Sequence, residues 1–116
     1  MVEAERQGVR DRVVVVVGSD FGRTPGYNDG NGKDHWSITS MMVMGAGIRG
    51  NRVVGGSTDS HQALGIDTST LLPVDSGGLT LRPEHVHHAL RRLAGIDVDP
   101  IVTKQFGLAT DALDIF

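Results

Sequence analysis

Val13 to Val17 are five consecutive valines, and they run directly into Gly18-Ser19-Asp20-Phe21-Gly22-Arg23-Thr24-Pro25. A short, wholly β-branched run constrains the fold more than any other feature of the chain. Valine crowds a helix and suits a pleated strand. With no polar residue at alternate positions, the run reads as a strand buried on both faces, as in a parallel sheet. In open α/β sheets, ligands bind beyond the carboxyl ends of the strands, which is where Asp20 falls. The same Gly, Ser and Asp residues equally make an ordinary surface turn.

The rest of the chain offers the valine strand few neighbours. Met41-Met42-Val43-Met44 reads as a second buried strand, and Asn51 to Val54 as a short third one. Val2 to Gln7 reads as a helix stopped by Gly8. The strongest helix is Pro83 to Ala94. Pro83 suits its first turn, Glu84 complements the helix dipole, and Gly95 ends it. Val86, Ala89, Leu90 and Leu93 form its apolar face. Gly55 to Gly78 reads as loop-rich, and the tail from Ile96 to Phe116 as mostly irregular. The 116 residues suffice for one domain at most, spanning 1–116. Three short strands and one good helix are thin cover for a doubly buried strand. The chain is therefore expected either to belong to a larger domain or to complete its sheet as a homo-oligomer.

Charge narrows the partners. The net charge is −3 and both signs are mixed along the chain, with no basic stripe carrying aromatics, so nucleic acid is not expected as a partner. No apolar run is long enough to span a membrane. Met1 to Arg12 is charged and lacks the apolar stretch of a secretory signal. The chain has no cysteine, which removes disulfides and thiolate metal sites.

Three patterns carry candidate chemistry. Gly45-Ala46-Gly47-Ile48-Arg49-Gly50 has the spacing of a dinucleotide fingerprint, but that motif requires a helix to begin within it, and the following residues read as strand and turn. Glu84-His85-Val86-His87-His88 looks like a metal tract. At helical spacing its imidazoles diverge, so it reads as a solvated helix side. His61, beside Asp59 in a loop, is ambiguous. The third pattern joins Asp20, just past the valine strand, to His35, just before the methionine strand. A long polar loop, Gly18 to Lys33, can fold back to bring them together. A carboxylate and an imidazole at one sheet edge suit a divalent metal such as zinc or manganese. Asp34 is a further ligand or a support for His35. Arg23 can hold an oxyanion bidentately.

At these residues the chain resembles a known family. The run Val-Val-Val-Gly-Ser-Asp-Phe-Gly-Arg-Thr-Pro, then Asn28, Gly32-Lys33-Asp34-His35-Trp36 and Met44-Gly45-Ala46-Gly47-Ile48-Arg49-Gly50, looks like the C-terminal part of the bacterial domain-of-unknown-function family 1501. The likeness continues through Val54-Gly55-Gly56-Ser57-Thr58-Asp59 and the helix from Leu81 to Asp97. That family is related to alkaline phosphatases and sulfatases. The resemblance implies the C-terminal portion of a three-layer α/β fold with a mainly parallel sheet and a metal site at the strand ends. It also implies a divalent metal (zinc, manganese or calcium) and an anionic phosphate or sulfate ester as substrate. Metal ligands would be Asp20 and His35, with Asp34 in support, and Ser19 and Arg23 would contact the anion. In the wider superfamily the strand ends in Asp-His-Gly, with both polar side chains on metal. Here the motif is Asp20-Phe21-Gly22, and Phe21 cannot coordinate a metal. The superfamily nucleophile lies on earlier strands that no segment here matches, so the catalytic residue is unknown and the isolated chain is not expected to turn over. Relatives are commonly exported. The rival expectation is a non-catalytic binding or structural module with a vestigial metal site.

Overall fold

The computed structural model describes all 116 residues, Met1 to Phe116. The chain divides into two compact units. The first comprises Met1–Arg52 with Ser57–Gln62, the second Val53–Gly56 with Ala63–Phe116.

The first unit opens with helix α1 (Val2–Arg6), followed by Gly8 in the left-handed region and a short 3₁₀ turn at Arg10–Arg12. The valine run then forms β1 (Val14–Val17). Strands β2 (Gly22–Arg23) and β3 (His35–Trp36) make a separate two-stranded hairpin. β4 (Met42–Gly45) returns antiparallel to β1, pairing Val14 with Gly45 and Val17 with Met42. Gly45 is required at the end of this ladder. Its φ is +127°, and a Cβ there would run into the Val13 carbonyl oxygen.

The expectation of a mainly parallel, three-layer α/β sheet is overturned. All strand pairs are antiparallel, and they lie in separate sheets of two, two and three strands. The physical reason lies in the connection. Parallel neighbours need a crossover, usually a helix, whereas residues 18–41 between β1 and β4 contain only the β2–β3 hairpin and loops. The valine run is correctly a strand, but it is not doubly buried: Val16 and Val17 are 40% and 50% exposed. The apolar identity of the run sets its conformation, not the direction or number of its partners.

The second unit holds the core. Strand β5 (Gly65–Ile66) is central, flanked by β6 (Pro73–Val74) and β7 (Leu79–Thr80). Ile66 is fully buried and clusters with Leu71, Ala89, Leu113 and Ile115. Val54, Leu79, Leu81, Val86 and Phe116 pack around that cluster. Helix α2 (Pro83–Leu93) contributes Ala89 and Val86 from its apolar face, and Gly95 stops it with φ +68°. Two readings change here. His85 is buried rather than solvated, and its Nδ1 accepts a hydrogen bond from the Arg82 backbone N–H at 3.0 Å, closing the first turn of α2. The tail is not wholly irregular. It contains helix α3 (Pro100–Gln105), capped by the Asp99 carboxylate, which accepts from the Ile101 and Val102 N–H groups. Asn51–Val54 forms no strand. No helix starts in Gly45–Gly50, so the structural context of a dinucleotide fingerprint is missing.

Candidate functional site

The residues singled out by the sequence lie on or beside the β2–β3 hairpin. Its register sets Gly22 opposite Trp36 and Arg23 opposite His35. Gly22 has to be glycine, because a Cβ would collide with the Ile38 carbonyl oxygen. Between the strands, Asn28 organises the loop. Its side-chain oxygen accepts from the N–H groups of Gly30 and Gly32, and its amide donates to Asp34 Oδ1 at 2.8 Å. Thr24 and Asp34 exchange two further bonds across the loop: Thr24 N–H donates to the Asp34 carbonyl, and Asp34 N–H donates to Thr24 Oγ1. The long polar loop is thus ordered by its own Asn, Thr and Asp side chains, the residues suited to hydrogen-bond their own backbone. Trp36 anchors the far end, its indole N–H donating to the His61 carbonyl at 2.9 Å. His61 itself sits at φ +59° in the tight turn between Thr58 and Gln62.

At the mouth of the hairpin, three side chains stack. The Phe21 and His35 rings lie 3.7 Å apart between centroids with planes 20° from parallel. The Arg23 guanidinium carbon is 4.9 Å from the Phe21 ring centre. Both contacts favour a desolvated aromatic face: one is ring on ring, the other cation on ring. Arg23 also donates from Nη1 to the Lys33 carbonyl at 2.9 Å. Asp20 precedes the stack. Its Oδ1 accepts the Phe21 N–H at 3.1 Å and, more distantly, the Ser19 hydroxyl at 3.4 Å. The shorter bond of Ser19 goes to the Phe21 carbonyl at 2.8 Å. Asp34 is turned into the loop by Asn28.

The hairpin therefore brings Phe21, Arg23 and His35 together, with Asp20 one residue before Phe21 in the chain, and holds Asp34 in the loop wall. Whether these residues fit a metal can be judged from the donor set. No three His, Asp or Glu side chains of the chain gather into a group that can hold an ion. A closed zinc site takes four ligands and a catalytic one three with a water. Asp20, which accepts the Phe21 N–H, and His35, which stacks on the Phe21 ring, would supply two donors of such a set. The stack leaves His35 competent, since it covers the imidazole face whereas a metal bond lies in the ring plane. Asp20 likewise has lone pairs beyond those its own loop uses.

Sequence reasoning passed over Asp67. Its Oδ1 accepts from the Ser69 hydroxyl and N–H and from the Thr70 N–H, and these bonds pull its pKa from 3.8 down to about 2. The pattern Asp67-Thr68-Ser69-Thr70 was the available signal: a short carboxylate followed by hydroxyl residues closes on its own backbone. The result is a turn that leads to Leu71, held at φ +61° in the core, rather than a site.

No helix is long and apolar enough to cross a membrane. No curated protein and no solved structure matches the chain. A family model does match, over residues 3–108, and its description is "Protein of unknown function (DUF1501)". That match takes in the valine strand, the hairpin and all of α2, and the chain belongs to this family of proteins of unknown function.

Proposed function

We propose that the chain is a segment of a metal-dependent hydrolase related to the alkaline phosphatases and sulfatases, acting on phosphate or sulfate esters. In this reading the hairpin is its share of the metal and anion site. One observation carries it. The hairpin register sets Arg23 opposite His35 and puts Phe21 in contact with both, with Asp20 next in the chain. A guanidinium and an imidazole thus meet on Phe21, with a carboxylate one residue before it in the chain, which supports reading them as one site.

Asp20 and His35 would hold the ion, with the remaining ligands supplied from outside this hairpin. A divalent ion bound there would polarise an ester oxygen. Arg23 has five N–H donors and spends one on Lys33, so the others can take two oxygens of a phosphate or sulfate group. Asp34, fixed by Asn28, keeps the loop that carries His35 in register. With no nucleophile among these residues, the chain alone is expected to bind without turnover.

Calorimetric titration of the metal-free chain with zinc and with manganese tests this. Binding is expected for the wild type, and Asp20→Ala and His35→Ala should each lose most of it. If both variants bind as the wild type does, the ligand assignment fails. A second reading, a non-catalytic module with a vestigial site, is favoured by Phe21. This side chain lies flat on His35 where relatives in the superfamily place a ligand. A wild type that binds neither metal selects that second reading.

A further inference from the structure

Asn31 is followed by Gly32, and no other asparagine of the chain precedes a glycine. An asparagine so placed can modify itself. The Gly32 backbone nitrogen, once deprotonated, attacks Cγ of the Asn31 side chain and closes a five-membered imide, a step favoured because both groups belong to one chain. The new N–Cγ bond forms, the Cγ–Nδ2 bond breaks, and Nδ2 leaves as ammonia with the proton that the backbone nitrogen gave up. Water then opens the ring at either carbonyl, leaving an aspartyl or an isoaspartyl residue. Glycine makes the attack fast because it sets no side chain beside the nucleophile.

The β2–β3 loop exposes Asn31 and Gly32 to water but keeps the nucleophile occupied. Gly32 N–H donates to Asn28 Oδ1 at 2.9 Å, and the same oxygen takes the Gly30 N–H at 3.1 Å. A nitrogen whose proton is held in such a bond is not the anion that attacks. Asn31 is fixed as well. Its N–H donates to the Asn28 carbonyl at 2.9 Å, and its φ is +56°, a left-handed conformation that asparagine tolerates. The Asn28 N–H in turn donates to the Gly32 carbonyl at 2.8 Å. The backbone does not demand glycine at position 32. Its φ is not positive, and a Cβ there would come no closer than 3.6 Å to the Asn28 side chain. Close approach does demand glycine at Gly22 and Gly45.

We propose that Asn31–Gly32 is a self-deamidation site that the Asn28 side chain holds closed. While the Asn28 bonds last, Asn31 persists. When the loop opens, the imide forms and the change is irreversible. The imide has no N–H at residue 32 to donate to Asn28, and an isoaspartyl residue lengthens the main chain there by one carbon. Either product adds one negative charge to the net −3, in the loop that leads into Asp34 and His35. The chemistry needs only water and is independent of the metal reading, so its test is run in EDTA.

The wild type, Asn28→Ala and Gly32→Ala are incubated in warm, mildly alkaline buffer, folded and in urea, and their peptides are followed by mass spectrometry. Asn51, which precedes Arg52, is the internal reference. In the folded proteins, aspartyl plus isoaspartyl at position 31 should accumulate roughly threefold or more faster in Asn28→Ala than in the wild type, as expected for loss of one hydrogen bond. Amide hydrogen exchange at Gly32 should rise with it. In urea the wild type should react at Asn31 severalfold faster than when folded, whereas Gly32→Ala should bring Asn31 down to the pace of Asn51. The proposal is overturned if the folded wild type deamidates at Asn31 as fast as it does in urea, a comparison that stands even if Asn28→Ala is disordered. It is equally overturned if Asn28→Ala reacts no faster than the folded wild type, or if Asn31 is no more reactive than Asn51 in urea.

Discussion

The Phe21 ring lies against the His35 imidazole at 3.7 Å, nearly parallel to it, at the mouth of a hairpin whose opposite residues are Arg23 and His35. Phe21 thus fixes the imidazole by its face while adding no donor to the site. Replacing it with histidine recreates the Asp-His-Gly motif that the resemblance attributes to the superfamily and keeps an aromatic ring on His35. If the proposed metal reading holds, Phe21→His should bind zinc about tenfold or more tightly than the wild type, because it adds one imidazole to the proposed ligands Asp20 and His35. Titration calorimetry checks this. An Asp20→Ala change in the Phe21→His background should remove the gain. Equal affinities for Phe21→His and the wild type would count against the proposed metal site at this hairpin.

Gly45→Ala tests the β1–β4 pairing. The residue sits at φ +127°, and an added Cβ meets the Val13 carbonyl, which accepts the Ala46 N–H at 3.0 Å. Backbone strain of this kind costs on the order of 1–3 kcal/mol. The expected outcome is faster amide exchange at Val14 to Val17, followed by NMR, with exchange at Ile66 in the second unit little changed. Unaltered exchange in β1 would mean that the ladder does not depend on the close approach of Gly45 to Val13.

The two units also differ in how far the sequence disclosed them. β1, β4, α1 and α2 were legible because each is written locally: β-branched or methionine runs for the strands, Pro83 and Gly95 for the ends of α2. The sheet direction was not, because a valine run is equally apolar beside a parallel or an antiparallel neighbour. Helix α3 was missed although Asp99-Pro100 is a cap followed by a proline in the first turn, since the alternation of Asp with apolar residues around it masked the period. The same masking hid Leu113 and Ile115, which are core residues in a segment with no element of its own. At the site, the loop folding back was legible, and it sets Arg23 opposite His35 in the β2–β3 hairpin. That Asp34 and Ser19 point into loop contacts depends on side-chain hydrogen bonds, which spacing does not specify.

His85 is a second place where structure and sequence diverge with consequences. It is 4% exposed and caps α2 through Nδ1, the role a Glu or Gln at the third helical position plays in a capping box. His85→Ala loses this cap and leaves the Arg82 N–H without it, an expected cost of roughly 1–2 kcal/mol in unfolding free energy. His85→Gln should recover part of that cost. Chemical denaturation followed by circular dichroism checks both variants. The His87→Ala control, at an exposed position on the same helix, should stay within about 0.5 kcal/mol of the wild type.

Asp67 sets the acid limit of its turn. Its pKa is lowered to about 2 by the Ser69 hydroxyl and by the Thr70 and Ser69 N–H groups, all of which bind the ionised form. The folded value lies below the unfolded one, so the carboxylate stabilises the fold above pH 3.8, and the contribution is lost as pH falls from there toward 2. The turn positions Leu71, whose N–H donates to the Asp67 carbonyl at 2.8 Å and whose side chain is in the core. Between pH 4 and 2, the wild type should therefore lose stability more steeply than Asp67→Asn, which cannot titrate. The variant should start lower at neutral pH, because a neutral amide accepts the three donors less strongly. Thermal melts at half-unit pH steps give the comparison, and parallel acid slopes for the two proteins would place the acid sensitivity elsewhere.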